Sequence, residues 1–453
     1  MTRTRLSALD ASFLAVETPT AHMHVGWVAV FSAPAEDRLP GFSELRDHIE
    51  RRLALAPRYR QKLASVPLGL HAPEWVDDAS FSVDRHVYWA SGSCHELVDE
   101  VMSMPLRRDR PLWEIWICED AGEEQMALVG KMHHCMVDGL AAVELSSLLL
   151  DPTPEPVACE SDGWDAVPAP DAPRLLLGAA RDRIGEQIEL LRWPLRAISS
   201  PSRVATDLAG AVPRVARALA HSLRPAPESF LLNRPLSPSR RLAWAQRPFE
   251  DLRRVKRAHG TTVNDVLLAS VAGGMRRFLT RQGDEPAPLK AMVPVSVRDD
   301  SDVLGNHVSF VFADLPCEEP DPLRRLGRVH TTMTQRKRDG EPEGADLAFK
   351  AAAHAPAVVQ HAISRVFASP RTFNLVVSNI PGPPGQLYML GCPLRAAYPV
   401  VPLADSHTLS VGMTSVCDSV CIGVYADREA IPQADQLACD IDTAIEELLA
   451  TAG

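Results

Sequence analysis

The sequence predicts an α/β protein built from two globular units with a partly helical connector between them. Three observations carry this. The chain of 453 residues is longer than one hydrophobic core supports. Strand-like alternation and helix-like spacing recur in both halves. A proline-rich stretch, residues 151–173, passes into an arginine-rich one before a second set of periodic segments opens near Leu236. The units read as 1–155, a linker at 156–235, and 236–453.

Hydrophobic residues make up 46% and charged residues 23%, the balance of an ordinary globular protein. The net charge of −11 argues against general nucleic-acid binding. It is unevenly spread: Arg174 to Arg257 holds 17 basic and 7 acidic residues, so the remainder carries −21. The 9 cysteines lack a paired framework, and Cys417 and Cys421 have no second pair to complete a zinc site. Reduced thiols and a cytoplasmic protein are expected. Asp10 interrupts any signal-peptide core, and no apolar run has the length of a membrane span.

In chain order, His24 to Phe31 reads as a buried strand and Phe42 to Leu55 as a helix with apolar residues at 42, 45, 49 and 53. Trp75 to Val87 is strand and loop, and His95 to Leu106 a short helix. Pro111 breaks that helix and pre-orders the entry to a strand through Leu112-Trp113-Glu114-Ile115-Trp116-Ile117. This strand should pair with Gln125–Met132 as a hairpin across Asp120–Glu124. Leu177, Ile184, Ile188 and Leu191 form a helical stripe with arginines on the other faces, and prolines 194, 201 and 213 are expected to divide the segment. Such a basic amphipathic region suits either an anionic lipid surface or a solvated connector. In the second half a helix at Val266–Leu279 follows Thr261-Thr262-Val263-Asn264-Asp265. Strands are expected at Lys290–Val297, His307–Leu315, Phe373–Ser378, Thr408–Val416 and Val420–Tyr425, with helices at Pro322–Lys337 and Ala345–Phe367. Pro432 opens a closing amphipathic helix with Leu437, Ile441, Ile445 and Leu448 on one face.

The chemistry concentrates in His133-His134-Cys135-Met136-Val137-Asp138-Gly139, at a strand-to-helix junction. Imidazole takes and returns a proton near neutral pH, so His134 is the candidate general base. Asp138 can cap the following helix, hold the turn or take a cationic partner. Adjacent strand residues point to opposite faces, which disfavours a shared metal at His133 and His134. Cys135 has only sequence neighbours as bases, an unlikely geometry for a nucleophile. No phosphate-cradling loop, dinucleotide fingerprint or nucleophile elbow is present.

Four motifs in this order, Pro111-Leu112-Trp113, His133-His134-x-x-x-Asp138-Gly139, Asn264-Asp265 and Ser378-Asn379-Ile380-Pro381-Gly382-Pro383, resemble the bacterial wax ester synthase/acyl-CoA:diacylglycerol acyltransferase family. The likeness runs from Leu9-Asp10 through Asn233-Arg234-Pro235 to the closing helix. It implies two chloramphenicol acetyltransferase-like subdomains, each a mixed sheet with helices, and an active site in a channel between them. It implies acyl transfer from acyl-CoA, as co-substrate, to diacylglycerol or a long-chain alcohol, with no cofactor and no acyl-enzyme. His134 would be the base, with His133 supporting it or lining the channel. Asp138 would face away and pair with an arginine of the second unit, for which Arg298 is the candidate. Asn264 is the candidate for the oxyanion, Gly139 for substrate positioning, and Asp265, Pro111 and Trp113 for structural support. Ser378–Pro383 is expected to be structural. Two alternatives stay open: a transferase using a carrier-protein thioester, and a non-catalytic protein of membrane or lipid-droplet surfaces that uses segment 174–257.

Overall fold

The computed structural model describes residues 5–34, 38–136, 148–159, 163–199, 212–221, 224–296, 308–353, 357–383 and 385–452. Asp138, Gly139 and Arg298 lie outside them, as do Leu140 to Ser147 of the helix expected after the histidine motif.

Two six-stranded mixed sheets form the frame. The first runs in the order β11 (Tyr388–Met389), β12 (Cys392–Val400), β1 (His24–Ser32), β6 (Gln125–His133), β5 (Trp113–Asp120), β4 (Val87–Ser93). The expected hairpin is its centre: Trp113 sits opposite Met132 and Cys118 opposite Ala127. The second runs β7 (Arg240–Pro248), β14 (Ser419–Asp427), β13 (Leu409–Val416), β10 (Leu375–Ile380), β8 (Leu289–Ser296), β9 (Val308–Leu315). Here β10 is parallel to both of its neighbours, as its arrival from a helical crossover requires. A separate hairpin, β2 (Gln61–Ala64) with β3 (Glu74–Asp77), lies outside both sheets.

Segment 388–400 departs from a simple division of the chain. It falls inside the second expected unit, yet β12 pairs antiparallel with β1, with Gly26 opposite Val400. The first sheet is thus completed by a strand from the far end of the sequence. Its alternating burial suits either sheet, and only the long-range register decides.

Helices α1 (Ala8–Val16), α2 (Phe42–Arg52) and α3 (Cys94–Ser103) belong to the first half. Leu45 and Ile49 of α2 and Val98, Val101 and Met102 of α3 are fully buried in the core of the first sheet. In the second half the helices Val263–Gln282 and Ala434–Ala450 bury their apolar faces against the second sheet. The first of these starts with a reciprocal capping box: Asp265 N–H donates to Thr262 Oγ1 (3.1 Å) and Thr262 N–H to Asp265 Oδ2 (2.9 Å). The described residues of the expected helix at 345–367 are helical, in Glu341–Ala353 and Ala357–Phe367.

Two expectations are corrected. The connector helix is continuous over Ala172–Ser199, through Pro194. A proline forfeits its own N–H bond and crowds the preceding turn, which bends a helix more readily than it ends one of this length. The thiols are not all reduced either, for Cys94 and Cys118 are disulfide-bonded. Parallel pairing of β4 with β5 brings the first residue of α3 beside β5, a juxtaposition that cysteine spacing cannot reveal. Among the described residues, no helix is long and apolar enough to cross a membrane.

Candidate active site

Strand β6 delivers the two histidines. His133 is its last residue, and His134 begins a 3-10 turn, His134–Met136. The backbone fixes the junction: His133 N–H donates to Leu112 O (3.0 Å) and His134 N–H to Met23 O (3.0 Å). Adjacent residues leaving a strand face opposite ways, and these two do.

His133 turns inward and is buried. Its Nδ1 accepts from Cys135 N–H (3.1 Å), which places the ring proton on Nε2. Nε2 lies 3.7 Å from Glu17 Oε2, a carboxylate that also pairs with Arg108. Burial above all, then the Arg108 charge and His134, hold the His133 pKa down at about 2. It is a neutral ring that braces the turn.

His134 turns the other way, into a cavity of about 320 Å³ between the two sheets. Strand β1 supplies Val25 and Trp27 to its wall, β8 supplies Met292 and Pro294, and β10 supplies Val376 and Ser378. Residues of β12 and β13, among them Leu394 and Thr414, complete it. Among the described residues, every side chain on this wall apart from His134 is non-ionisable. Phe13 of α1 stacks on the imidazole, ring centroids 3.7 Å apart and planes 18° from parallel. His134 Nδ1 is buried and, among the described residues, has no hydrogen-bond partner. Burial lowers its pKa from 6.5 to about 4, so the ring is a free base at neutral pH.

Cys135 shares the turn but packs in a cluster with Leu6, Trp75, Leu106 and Leu112. Burial pushes its thiol up to about 12, which leaves no thiolate at neutral pH. Among the described residues no group of three His, Cys, Asp or Glu side chains is placed to hold a metal ion.

The other expected residues separate. Trp113 is buried, donates Nε1–H to Tyr59 O (2.7 Å) and stacks on His86, while Pro111 O accepts from Trp113 N–H (3.0 Å). Asp265 is buried in its capping box and accepts from His330 Nδ1 (2.8 Å). Asn264, the residue before it, is half-buried and is not on the cavity wall. Ser378–Pro383 was expected to be structural, yet Ser378, Ile380, Pro381, Gly382 and Pro383 all line the cavity. Gly382 shows why that motif is tight, for a Cβ there would sit 1.5 Å from Ser415 O. Ser378 belongs to a sequence motif that gave no sign of a place on the cavity wall, and Thr414 and the ring of Phe13 carry no recognisable site signal in the sequence. Their place at the site comes from strand register and from α1 folding back over the turn.

The chain as a whole is similar to known proteins. The catalytic-domain model of the wax ester synthase/diacylglycerol acyltransferase family matches residues 6–267, and the family's C-terminal domain model matches residues 304–449. The chain is 32% identical to the Mycobacterium tuberculosis protein named probable diacylglycerol O-acyltransferase tgs1, covering 98% of this chain and 96% of that one. It is also similar to the solved wax ester synthase/diacylglycerol acyltransferase of Marinobacter aquaeolei VT8, with a TM-score of 0.70 and 26% identity over 99% of this chain and 100% of that one. The starter condensation domain of rhizomide synthetase shares the fold, with a TM-score of 0.56 at 14% identity, covering 100% of this chain and 94% of that one. The chain belongs to the wax ester synthase/diacylglycerol acyltransferase family.

Proposed function

We propose that this protein is an O-acyltransferase that moves a long-chain acyl group from acyl-CoA to the hydroxyl of diacylglycerol, forming triacylglycerol, and that it also accepts fatty alcohols to form wax esters. The observation that carries this reading is the free-base imidazole of His134 on the wall of an apolar cavity between the two sheets. The alcohol oxygen attacks the thioester carbonyl as His134 takes its proton. The tetrahedral intermediate collapses with cleavage of the C–S bond, and the imidazolium returns the proton to the departing thiolate. No net proton is consumed, and no acyl-enzyme is needed. The inert Cys135 thiol fits direct transfer. The apolar wall suits an acyl chain and excludes water, which strengthens every polar contact the intermediate makes.

We assign the oxyanion to Ser378, a residue of the cavity wall, rather than to Asn264, which is not among the lining residues. Asp138 and Arg298 keep their proposed role as a pair that holds the loop to the second unit.

The substrates are lipids, and the connector offers them a surface. Leu177, Ile184 and Ile188 on the helix Ala172–Ser199 are exposed at 72%, 61% and 43%, and Leu68 nearby at 89%. Arg183 of that helix donates to Leu70 O (3.4 Å), so the helix and the segment carrying Leu68 are neighbours. We assign this surface to peripheral contact with a membrane or lipid droplet.

Purified protein incubated with palmitoyl-CoA and diolein or hexadecanol should yield neutral lipid on thin-layer chromatography. An acyl-phosphopantetheinyl carrier protein should be a poor donor. Turnover with the carrier donor alone contradicts the acyl-CoA reading, and lipid binding with no turnover from either donor contradicts catalysis.

A further inference from the structure

A second cavity, of about 380 Å³, lies away from His134 and shares no lining residue with the acyl cavity. It is formed by Gly273, Arg276, Arg277, Thr280 and Arg281 on the helix Val263–Gln282, by Pro320 and Arg325, and by Glu447 on the closing helix. Four guanidinium groups converge here, in a chain whose net charge is −11.

Their partners do not balance them. Arg281 is satisfied by a bidentate pair with Asp440, at 2.6 and 2.8 Å. Glu447 alone serves two cations, with Oε1 on Arg277 and Oε2 on Arg325 Nη2 (3.1 Å). Arg276 donates only to backbone carbonyls, those of Cys317 (3.3 Å) and Glu318 (2.8 Å). Two carboxylates therefore face four cations among the described residues. Arg325 is 1% exposed, and a cation removed from water needs a counter-charge. Its remaining contacts, Nε to Ala269 O (3.2 Å) and Nη1 to Glu319 O (3.1 Å), are with neutral carbonyls. The Nε of Arg277 is buried and, among the described residues, has no acceptor. Gly273 forms the floor, for a Cβ there would lie 2.7 Å from Arg325 Nη2. If the cluster existed only to tie helices together, each guanidinium would be expected to have its own carboxylate, as Arg281 does.

We propose that this cleft is an anion-binding site that takes a phosphate group. Phosphate oxygens match the planar guanidinium fork in pairs and supply the charge that two carboxylates leave unmet. Arg277 and Arg281, with side chains 38% and 47% exposed, form a mouth through which such a group enters from solvent. A free phosphate and a lipid headgroup present the same group to the cleft, which contacts only the phosphate itself.

The test uses the full chain at fixed ionic strength. Titration calorimetry with inorganic phosphate should give one saturable site, and sulfate should compete. Arg276→Gln keeps donors for the two carbonyls but removes the charge, and should weaken binding about tenfold while acyl transfer is unchanged. Glu447→Gln should lower the melting temperature in plain buffer and enlarge the rise produced by phosphate, because the anion replaces a lost counter-charge. A parallel arm compares vesicles of phosphatidylcholine with vesicles containing phosphatidate: binding that needs phosphatidate and is lost in Arg276→Gln identifies the headgroup as the source. Absence of saturable binding in both arms, or equal binding by Arg276→Gln and wild type, overturns the proposal.

Discussion

An imidazole with a pKa of about 4 stays a free base through the neutral range, and His134 owes this to burial rather than to a neighbouring charge. No carboxylate among the described residues holds its Nδ1, and packing contributes to the plane of the ring. The face-to-face contact with Phe13 supplies that packing. Phe13→Ala removes a stack worth about 1 kcal/mol and opens the ring to water. We expect kcat to fall about tenfold and the acid limb of kcat/KM to move up from about 4 toward the ordinary histidine value, with Phe13→Tyr close to wild type. A pH–rate profile of the three proteins checks this. Cys135→Ser should keep activity within about twofold, because a thiol pushed up to about 12 does no chemistry at pH 7. The histidine pair and the opposite aims of its two rings were legible in the sequence, since alternation along a strand is local. Phe13, Ser378 and Thr414 were not legible as site residues, because tertiary register alone brings them to the cavity.

At the scale of elements, the cavity depends on strands that meet from distant parts of the chain. The loop after β10 approaches β13 so closely that Gly382→Ala must push the two apart. We expect it to cost about 3 kcal/mol in urea unfolding and to slow turnover with long acyl chains. The Cys94–Cys118 disulfide ties the start of α3 to β5 across a separation of 24 residues. Loop closure of that size contributes about 3 kcal/mol, so a reductant should lower the melting temperature of wild type and leave the Cys94→Ser/Cys118→Ser double variant unmoved. Periodicity found most strands and helices within a few residues, including β1, the β5–β6 hairpin and the closing helix. It could not place β12 in the first sheet or pair Cys94 with Cys118, because both depend on contacts far apart in sequence. Nor could it weigh Pro194 against the rest of a 28-residue helix.

For the molecule as a whole, burial of neutral imidazoles predicts sensitivity to acid. Burial lowers His86, His134 and His407 to about 4 and His133 to about 2. Below the ordinary histidine pKa the unfolded chain takes up protons that the native state refuses. Stability should therefore be full above about pH 6.5 and fall toward pH 4, each such group contributing about 1.4 kcal/mol per pH unit. Urea midpoints measured between these limits check the slope. The two-sheet frame with its site between the halves follows from the whole sequence, whereas the acceptor alcohol depends on the shape of an apolar wall that no motif encodes. Catalysis rests on His134 alone moving the proton. The most direct test is the rate of triacylglycerol formation from palmitoyl-CoA and diolein by wild type and by His134→Ala, both shown by circular dichroism to be folded. A loss of about 10²- to 10⁴-fold in kcat, with His133→Ala and Cys135→Ser retaining measurable turnover, is the expected result. A folded His134→Ala enzyme that works at the wild-type rate would rule out His134 as the base.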